Sequence, residues 1–95
     1  MLTKNRMARS GKVRVTFLLP QPDASAVELM GDFTDWQGRA MRRYRDGTWR
    51  ITLDLEPDRE LRFRYLVDGA RWENDWAADR YVPNGFGSED SVVAT

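Results

Sequence analysis

Apolar and polar residues alternate with a period of two along most of the chain, which is the pattern of half-buried β-strands. Every second residue is apolar in KVRVTFLL (12–19), WRITLDL (49–55) and LRFRYLV (61–67). A shorter run, AVELMG (26–31), and a final apolar run, SVVAT (91–95), add further candidates. No segment carries a sustained 3.6-residue period with helix caps, so the pattern predicts strands throughout.

Two Asp-Gly pairs separate such runs and predict tight hairpins. Asp46-Gly47 precedes TWRITLDL, and Asp68-Gly69 follows RFRYLV. This dipeptide favours the positive φ angles of two-residue hairpin turns. The connection EPDRE, residues 56–60, has the composition of another tight reversal. About seven short strands with frequent turns therefore predict an all-β fold, an antiparallel β-sandwich.

Composition limits the chemistry that the chain can perform. Its 95 residues suit one domain, and 41% hydrophobic with 32% charged residues is the balance of an ordinary globular protein. The chain contains no cysteine and no histidine. This excludes disulfides, thiolate or imidazole zinc sites, and Ser-His or Cys-His catalysis. We therefore expect neither a metal nor another cofactor.

Charge argues against a nucleic-acid partner. Fifteen basic residues balance fifteen acidic ones, whereas nucleic-acid-binding domains usually carry a basic excess. No apolar run approaches the ~20 residues of a membrane span, and the basic start MLTKNRMARSGK lacks the apolar segment of a secretory signal. We expect a cytoplasmic protein with no nucleic-acid or membrane partner. Residues 1–11 are expected to form a flexible basic arm, and residues 12–95 the sandwich.

The tryptophans divide into core and surface candidates. Trp49 is in phase with the apolar residues of its strand, so we expect it in the core. Trp36 lies in the turn-rich segment GDFTDWQG (31–38), and Trp72 follows the second Asp-Gly turn. Each either plugs an end of the sandwich or forms an exposed platform. An exposed indole can stack on the apolar C–H face of a sugar ring, and it loses little entropy because it has few rotatable bonds.

Motifs distributed along the chain, in this order and spacing, resemble those of one known family: VELMGDFTDW, DGTWRITLDL, LRFRYLVDGARWEND and GFGSEDSVV. They are similar to carbohydrate-binding module family 48. That family includes the glycogen-binding domain of the AMP-activated protein kinase β subunit and the N-terminal domains of isoamylases, pullulanases and glycogen branching enzymes. The likeness covers about residues 12–95. It implies a stand-alone bacterial-type member with an immunoglobulin-like β-sandwich that binds α-1,4-linked glucan, such as glycogen, starch or maltooligosaccharide.

The resemblance also implies which residues contact the glucan. The residues at the family's contact positions are Trp36, Trp72, Arg64, Phe86, Ser88 and Asp90. The two tryptophans would stack on glucose rings, Arg64 would contact sugar hydroxyls, and Phe86 would reach over or through the glucan ring. At the last position the family has asparagine. The carboxylate of Asp90 accepts hydrogen bonds but donates none unless protonated, so it cannot donate as the family's asparagine amide does.

The loop WAADRYVPNG (76–85) departs from the family pattern. It contains Trp76 and Tyr81, and either aromatic ring could extend the binding strip. We expect both to pack against the protein instead. Neither is assigned to the site.

Two other functions are open. Several relatives are joined to a glycoside hydrolase family 13 barrel, but hydrolysis usually needs two carboxylates across the scissile bond, one with a raised pKa. The available carboxylates are expected in solvated loops and turns: Asp32, Asp35, Asp68, Glu73, Asp75 and Asp79. The second alternative is a docking module for a glucan-metabolising enzyme or kinase, with Trp36 and Trp72 as interface anchors. A docking domain has no physical need for both tryptophans together with Arg64, so that combination favours glucan binding.

Overall fold

Two antiparallel β-sheets face each other in the computed structural model, which describes all 95 residues. The strands are β1 Leu2–Arg6, β2 Val13–Pro20, β3 Val27–Gly31, β4 Arg39–Ala40, β5 Arg42–Arg43, β6 Thr48–Leu55, β7 Glu60–Val67, β8 Arg71–Glu73, β9 Arg80–Pro83 and β10 Glu89–Ala94. The first sheet has the order β1-β2-β6-β5, and the second has the order β4-β3-β7-β10-β9 with β8 paired to β7. The predicted all-β sandwich is confirmed. The one helical segment is a 3₁₀ turn at Asp32–Thr34, and no helix has the length and apolarity needed to cross a bilayer.

The core lies between the two sheets and is built from the alternating apolar positions. In the first sheet Phe17 lies opposite Ile51 and Leu19 opposite Trp49, so the inward faces of β2 and β6 coincide. Trp49 is 6% exposed, which confirms its predicted place in the core, and its indole nitrogen donates to Gln21 O at 3.0 Å. The second sheet contributes the fully buried residues Phe63, Tyr65 and Val67 from β7.

Both Asp-Gly pairs form hairpin loops, although of different kinds. Asp68 and Gly69 have φ angles of 54° and 67°, and Ala70 N donates to Val67 O at 3.1 Å. This is the predicted two-residue turn between β7 and β8. Between β5 and β6 only Gly47 has a positive φ, 82°, and it ends the loop. A type I turn followed by a glycine bulge explains that geometry.

The connection 56–59 carries the chain from one sheet to the other. Strand β6 belongs to the first sheet and β7 to the second, so this turn-rich segment is a crossover between sheets and not a hairpin. Thr95 fastens the crossing, because its N–H donates to Arg59 O at 2.8 Å and its hydroxyl donates to Glu56 O at 2.6 Å. Turn-forming composition does not distinguish a hairpin from a crossover, because each strand presents one apolar face in either case.

The N-terminal segment contributes a strand to the first sheet. Residues 2–6 pair with β2, and Leu2 lies opposite Phe17. The side chain of Lys4 also holds this strand, because its Nζ lies 2.6 Å from Asp79 Oδ2. The expectation of a flexible arm was therefore wrong for this segment. Leu2 is its only apolar residue, which is too little to show a period of two. The structure has ten strands, more than the seven expected, because β1 and the two-residue strands β4 and β5 carry no such pattern.

Candidate functional site

A cavity of about 780 Å³ lies on the outer face of the second sheet. This volume is within the range of ligand-binding clefts. Its lining includes every contact position implied by the resemblance: Trp36, Trp72, Arg64, Phe86, Ser88 and Asp90. Three further residues, Asp32, Arg62 and Asn84, complete the lining. Residues that are up to 58 positions apart in the sequence, from Asp32 to Asp90, thus share one surface.

Strand β7 supplies the floor of the cavity through its period of two. Phe63 and Tyr65 are fully buried in the core, so the alternate residues Arg62 and Arg64 point to the outer face. On the neighbouring strand β8, Trp72 lies opposite Leu66 and therefore shares the face of the two arginines. The pattern of alternation that builds the core also places these side chains beside one another.

Trp36 is held in an unusual backbone conformation. Asp35 and Trp36 both have left-handed φ angles, 54° and 57°, and Trp36 N donates to Gly31 O at 2.9 Å. Such a conformation costs roughly 1–2 kcal/mol per non-glycine residue, and such outliers cluster at functional sites. The indole is 38% exposed, so Trp36 is not a plug in the sandwich. Its nitrogen donates to Asp32 Oδ1 at 3.0 Å, which fixes the ring.

Gly31 lets β3 approach β7 closely enough to start this loop. A Cβ atom on Gly31 would lie 2.6 Å from Arg62 O and 2.9 Å from Phe63 Cβ. Gly31 is in an extended conformation, so a close approach and not a turn requires glycine here. Phe33 then turns inward, with its ring centroid 5.3 Å from that of Phe17. The inward-facing Phe33 anchors the loop that presents Trp36.

Trp72 and Arg64 form a cation–π pair. Trp72 is 44% exposed, and Arg64 Cζ lies 5.5 Å from the centroid of its ring. Arg64 takes part in no ion pair, and its buried Nε atom has no hydrogen-bond partner. An unsatisfied donor costs roughly 1–3 kcal/mol. The charge of Arg64 is therefore not neutralised by a carboxylate within the protein.

The β9–β10 hairpin loop, residues 84–88, forms one wall of the cavity. Phe86 at its tip is 92% exposed. Asn84 organises the loop: its side-chain oxygen accepts from Phe86 N at 2.9 Å, and its backbone N–H donates to Ser88 O at 3.1 Å. The Asn84 amide also donates to Asp90 Oδ1 at 3.3 Å. Asp90 is only 6% exposed, so its carboxylate is largely occupied with holding Asn84.

The family model of carbohydrate-binding module 48 (isoamylase N-terminal domain) matches residues 4–82, most of the chain. The chain belongs to carbohydrate-binding module family 48. The predicted resemblance is thereby confirmed. The match starts within β1, which agrees with that strand being part of the sandwich. It ends before the 84–88 loop and β10, so three contact positions, Phe86, Ser88 and Asp90, lie outside the matched range.

A curated enzyme is similar to this family 48 module. Over 78 residues the module is 38% identical to the 1,4-alpha-glucan branching enzyme GlgB of Photobacterium profundum. The alignment covers 79% of this chain and 10% of the enzyme. The module thus spans about a tenth of the length of the relative that it matches.

Sequence reasoning missed three residues that line this cavity. Arg62 shares the outer face of β7 with Arg64, and the alternation of that strand was sufficient to find it. Asp32 precedes Trp36 by four residues, but only the 3₁₀ turn brings its carboxylate to the indole. Asn84 gave no sequence signal, because its position depends on how the 84–88 loop folds.

The two aromatic residues left unassigned are on the surface of the module. Trp76 is 74% exposed, so the expectation that it packs against the protein was wrong. Tyr81 is 40% exposed, although its hydroxyl donates to the backbone oxygen of Asp75. Neither residue lines the cavity described above.

Asp75, expected in a solvated loop, is fully buried. Its carboxylate accepts from the Tyr65 hydroxyl at 2.7 Å and from Ala77 N at 2.8 Å, and it pairs with the amino group of Met1. Burial, together with the charge of Asp75, raises the pKa of Tyr65 well above its usual value. This buried network fastens the 74–78 loop to β7 and to the N-terminal amino group.

Proposed function

We propose that this module binds α-1,4-linked glucan and catalyses no reaction on it. The single observation that carries the proposal is the convergence of two partly exposed indoles and an unneutralised arginine in one cavity on the second sheet. A glucose unit offers an apolar C–H face to an aromatic ring and a rim of hydroxyls to polar groups. Glycogen, starch and maltooligosaccharides all present such units in a curved chain.

In the proposed mechanism Trp36 and Trp72 stack on successive glucose units. The indole nitrogen of Trp36 already donates to Asp32, so Trp36 contributes its ring face and no hydrogen bond. Arg64 donates to rim hydroxyls, because no carboxylate of the protein competes for its terminal nitrogens. Phe86 contacts the sugar from the tip of the hairpin loop, and the Ser88 hydroxyl supplies a further hydrogen bond.

In this proposal Asp90 supports the 84–88 loop more than it contacts the sugar directly. Its side chain is 6% exposed and accepts from Asn84, which in turn holds Phe86 N. The carboxylate thus acts mainly by fixing the loop that carries Phe86. This assignment accommodates the change from the family's asparagine, because accepting a hydrogen bond is all that this position requires.

Hydrogen bonds hold the Trp36 ring and the backbone of the 84–88 loop before ligand binds, so little entropy is lost in ordering these groups on association. Its shallow form buries a small area, and we expect single-site Kd values of about micromolar to millimolar. A branched polymer presents many chain ends, and several modules on one particle would raise the effective affinity.

The carboxylates of the cavity are poorly suited to glycoside hydrolysis. Both oxygens of Asp32 accept hydrogen bonds, one from Trp36 and one from Arg62 N at 2.8 Å. Asp90 is mostly buried against Asn84. Hydrolysis requires a proton donor and a second carboxylate that both face the scissile bond. The branching activity named for the relative is that of a protein about ten times the matched length.

A second function, docking to a glucan-metabolising enzyme, is favoured by one observation. In the branching enzyme the matched region is about a tenth of the protein and therefore accompanies other parts of an enzyme. Docking and glucan binding would compete if both used Trp36 and Trp72. An added maltooligosaccharide would then release the partner.

Co-sedimentation with glycogen tests the proposed function. We expect the wild type to sediment with the polymer, and maltoheptaose to release it by competition. The variant carrying both Trp36→Ala and Trp72→Ala should remain in the supernatant. Trp76→Ala is the matched control, because it removes an exposed indole outside the cavity and should sediment as the wild type does. A folded wild type that stays in the supernatant would reject glucan binding.

A further inference from the structure

A second cavity, of about 800 Å³, lies on the other side of the 84–88 hairpin loop. Its lining includes Asn74, Tyr81, Pro83, Ser88 and Glu89. Ser88 lines both cavities, so the loop stands between two adjacent recesses. The first recess is on the outer face of the second sheet. Tyr81, which lines the second recess, locates it relative to that sheet.

Tyr81 belongs to the opposite side of the sheet from the outer face that carries Arg64. Tyr81 lies opposite Ser91 in β10, and Ser91 lies opposite the core residue Phe63 in β7. Residues directly opposite in antiparallel strands share a face. Tyr81 is therefore on the inner side of the sheet, beyond the core at the edge strand β9. A chain that crossed the hairpin loop would pass from the Trp36 side to the Tyr81 side.

The ring of Tyr81 is held as a fixed platform. Its hydroxyl donates to the backbone oxygen of Asp75, whose N–H is bonded to Ser91 Oγ at 2.8 Å. Ser91 Oγ donates in turn to Asn74 Oδ1 at 2.9 Å. The hydroxyl is thus engaged in a buried network, while 40% of the residue remains exposed. A tyrosine anchored in this way offers an aromatic surface at little entropic cost.

Polar groups suited to hydroxyls surround this ring. Glu89 and Ser88 are both exposed, and Glu89 takes part in no ion pair. The Asn74 amide is already committed, because it donates to Glu89 O at 2.8 Å and accepts from Ser91. One aromatic platform beside a free carboxylate and a hydroxyl is the chemistry that a sugar ring requires.

We infer that the second cavity is an additional glucan subsite with Tyr81 as its stacking platform. A glucan chain bound on the outer face crosses the hairpin loop at Ser88 and continues onto Tyr81. This inference rests on the proposed function. It predicts selection for chain length: a short oligosaccharide occupies the Trp36 and Trp72 side only, whereas a longer one reaches both recesses.

Isothermal titration calorimetry with maltotriose and maltoheptaose tests the inference. The quantity of interest is the ratio of the Kd for maltotriose to the Kd for maltoheptaose. In Tyr81→Ala this ratio should fall about threefold to tenfold, the contribution of one aromatic platform, while maltotriose binding stays as in the wild type. Tyr81→Phe is the matched control, because it keeps the ring and loses the hydroxyl. It should retain most of the wild-type ratio.

Three results would overturn the inference. A folded Tyr81→Ala with the wild-type ratio would show that the ring contributes nothing. A Tyr81→Phe ratio as low as that of Tyr81→Ala would show that the hydroxyl, not the ring, is responsible. A wild type that binds neither oligosaccharide would reject the proposed function, and the inference with it. Binding by the wild type with an unchanged ratio in Tyr81→Ala rejects the inference alone.

Nuclear magnetic resonance of the ¹⁵N-labelled wild type gives a test that needs no variant. Maltoheptaose should shift the backbone amide signals of Tyr81 and Glu89, whereas maltotriose should not. The indole N–H signal of Trp36 should shift with both. Unchanged Tyr81 and Glu89 signals in a maltoheptaose complex that shifts Trp36 would overturn the inference.

Discussion

The indole nitrogen of Trp36 donates a hydrogen bond to Asp32 Oδ1 at 3.0 Å. The other oxygen of Asp32 accepts from the backbone N–H of Arg62 at 2.8 Å. One carboxylate thus joins the exposed ring of a loop to the strand that carries Arg64. The spacing between the indole platform and the arginine depends on a residue that need not touch sugar.

Asp32→Asn should weaken maltoheptaose binding about threefold to tenfold, which is the value of one hydrogen bond. An amide has one acceptor oxygen, whereas the Asp32 carboxylate uses two oxygens to accept from Trp36 and Arg62. Calorimetry measures the affinity, and the exchange rate of the Trp36 indole proton reports the lost hydrogen bond directly. Asp35→Asn is the matched control at the exposed neighbouring residue and should behave as the wild type. Wild-type affinity and slow indole exchange in Asp32→Asn would contradict the positioning role.

Gly31→Ala should destabilise the fold by about 1–3 kcal/mol, because the added methyl group overpacks the contact between β3 and β7. The new Cβ would lie 2.6 Å from the backbone atom Arg62 O, which cannot move freely. Gly38→Ala is the matched control. Its Cβ would meet the flexible carboxylate of Glu28, which can turn away. Urea unfolding at neutral pH measures both, and equal effects would refute the close-approach account.

Acid should remove the contribution of Asp68 to stability. Hydrogen bonds from Ala26 N and Ser25 N, at 2.9 and 2.7 Å, hold the pKa of Asp68 below its usual value. A depressed folded-state pKa stabilises the protein above the unfolded pKa of about 3.9, and that stabilisation is lost as the pH falls through the folded pKa.

Asp68→Asn should therefore be less stable than the wild type at pH 7, and the difference should shrink at pH 2. Asparagine tolerates the φ of 54° at this position, so backbone strain does not enter the comparison. Urea unfolding at the two pH values measures the effect. A difference that does not depend on pH would contradict the role assigned to the carboxylate.

Glucan affinity should vary little between pH 6 and 9. The chain has no histidine, and the arginine side chains stay charged over this range. Calorimetric titrations across this interval with the same oligosaccharide measure the dependence. A steep change in Kd would mean that a titrating group outside the proposed set controls binding.

The core and the floor of the site were predictable because both follow one alternating pattern. In β7 the period of two puts Phe63 and Tyr65 inward and Arg64 outward, and no other information is needed. The resemblance then singled out Trp36 and Trp72, which the structure places on the same cavity.

The remainder depends on side-chain contacts that form only when the loops are folded. Asp32 reaches Trp36 through a 3₁₀ turn, and Asn84 reaches Asp90 through a folded loop. The burial of Asp75 depends on Tyr65 and Ser91, neither of which is near it in sequence. Local composition carries none of these contacts, so the sequence wrongly predicted a solvated Asp75.

A tryptophan-fluorescence titration with maltoheptaose tests the central claim most directly. It compares the wild type with Trp36→Ala, Trp72→Ala and the control Trp76→Ala, each first shown to be folded by circular dichroism. We predict a saturable change in the wild type and in Trp76→Ala, and none in the other two variants. No response from folded wild type up to about 10 mM, where even a site with a Kd near 1 mM is filled, would contradict the account.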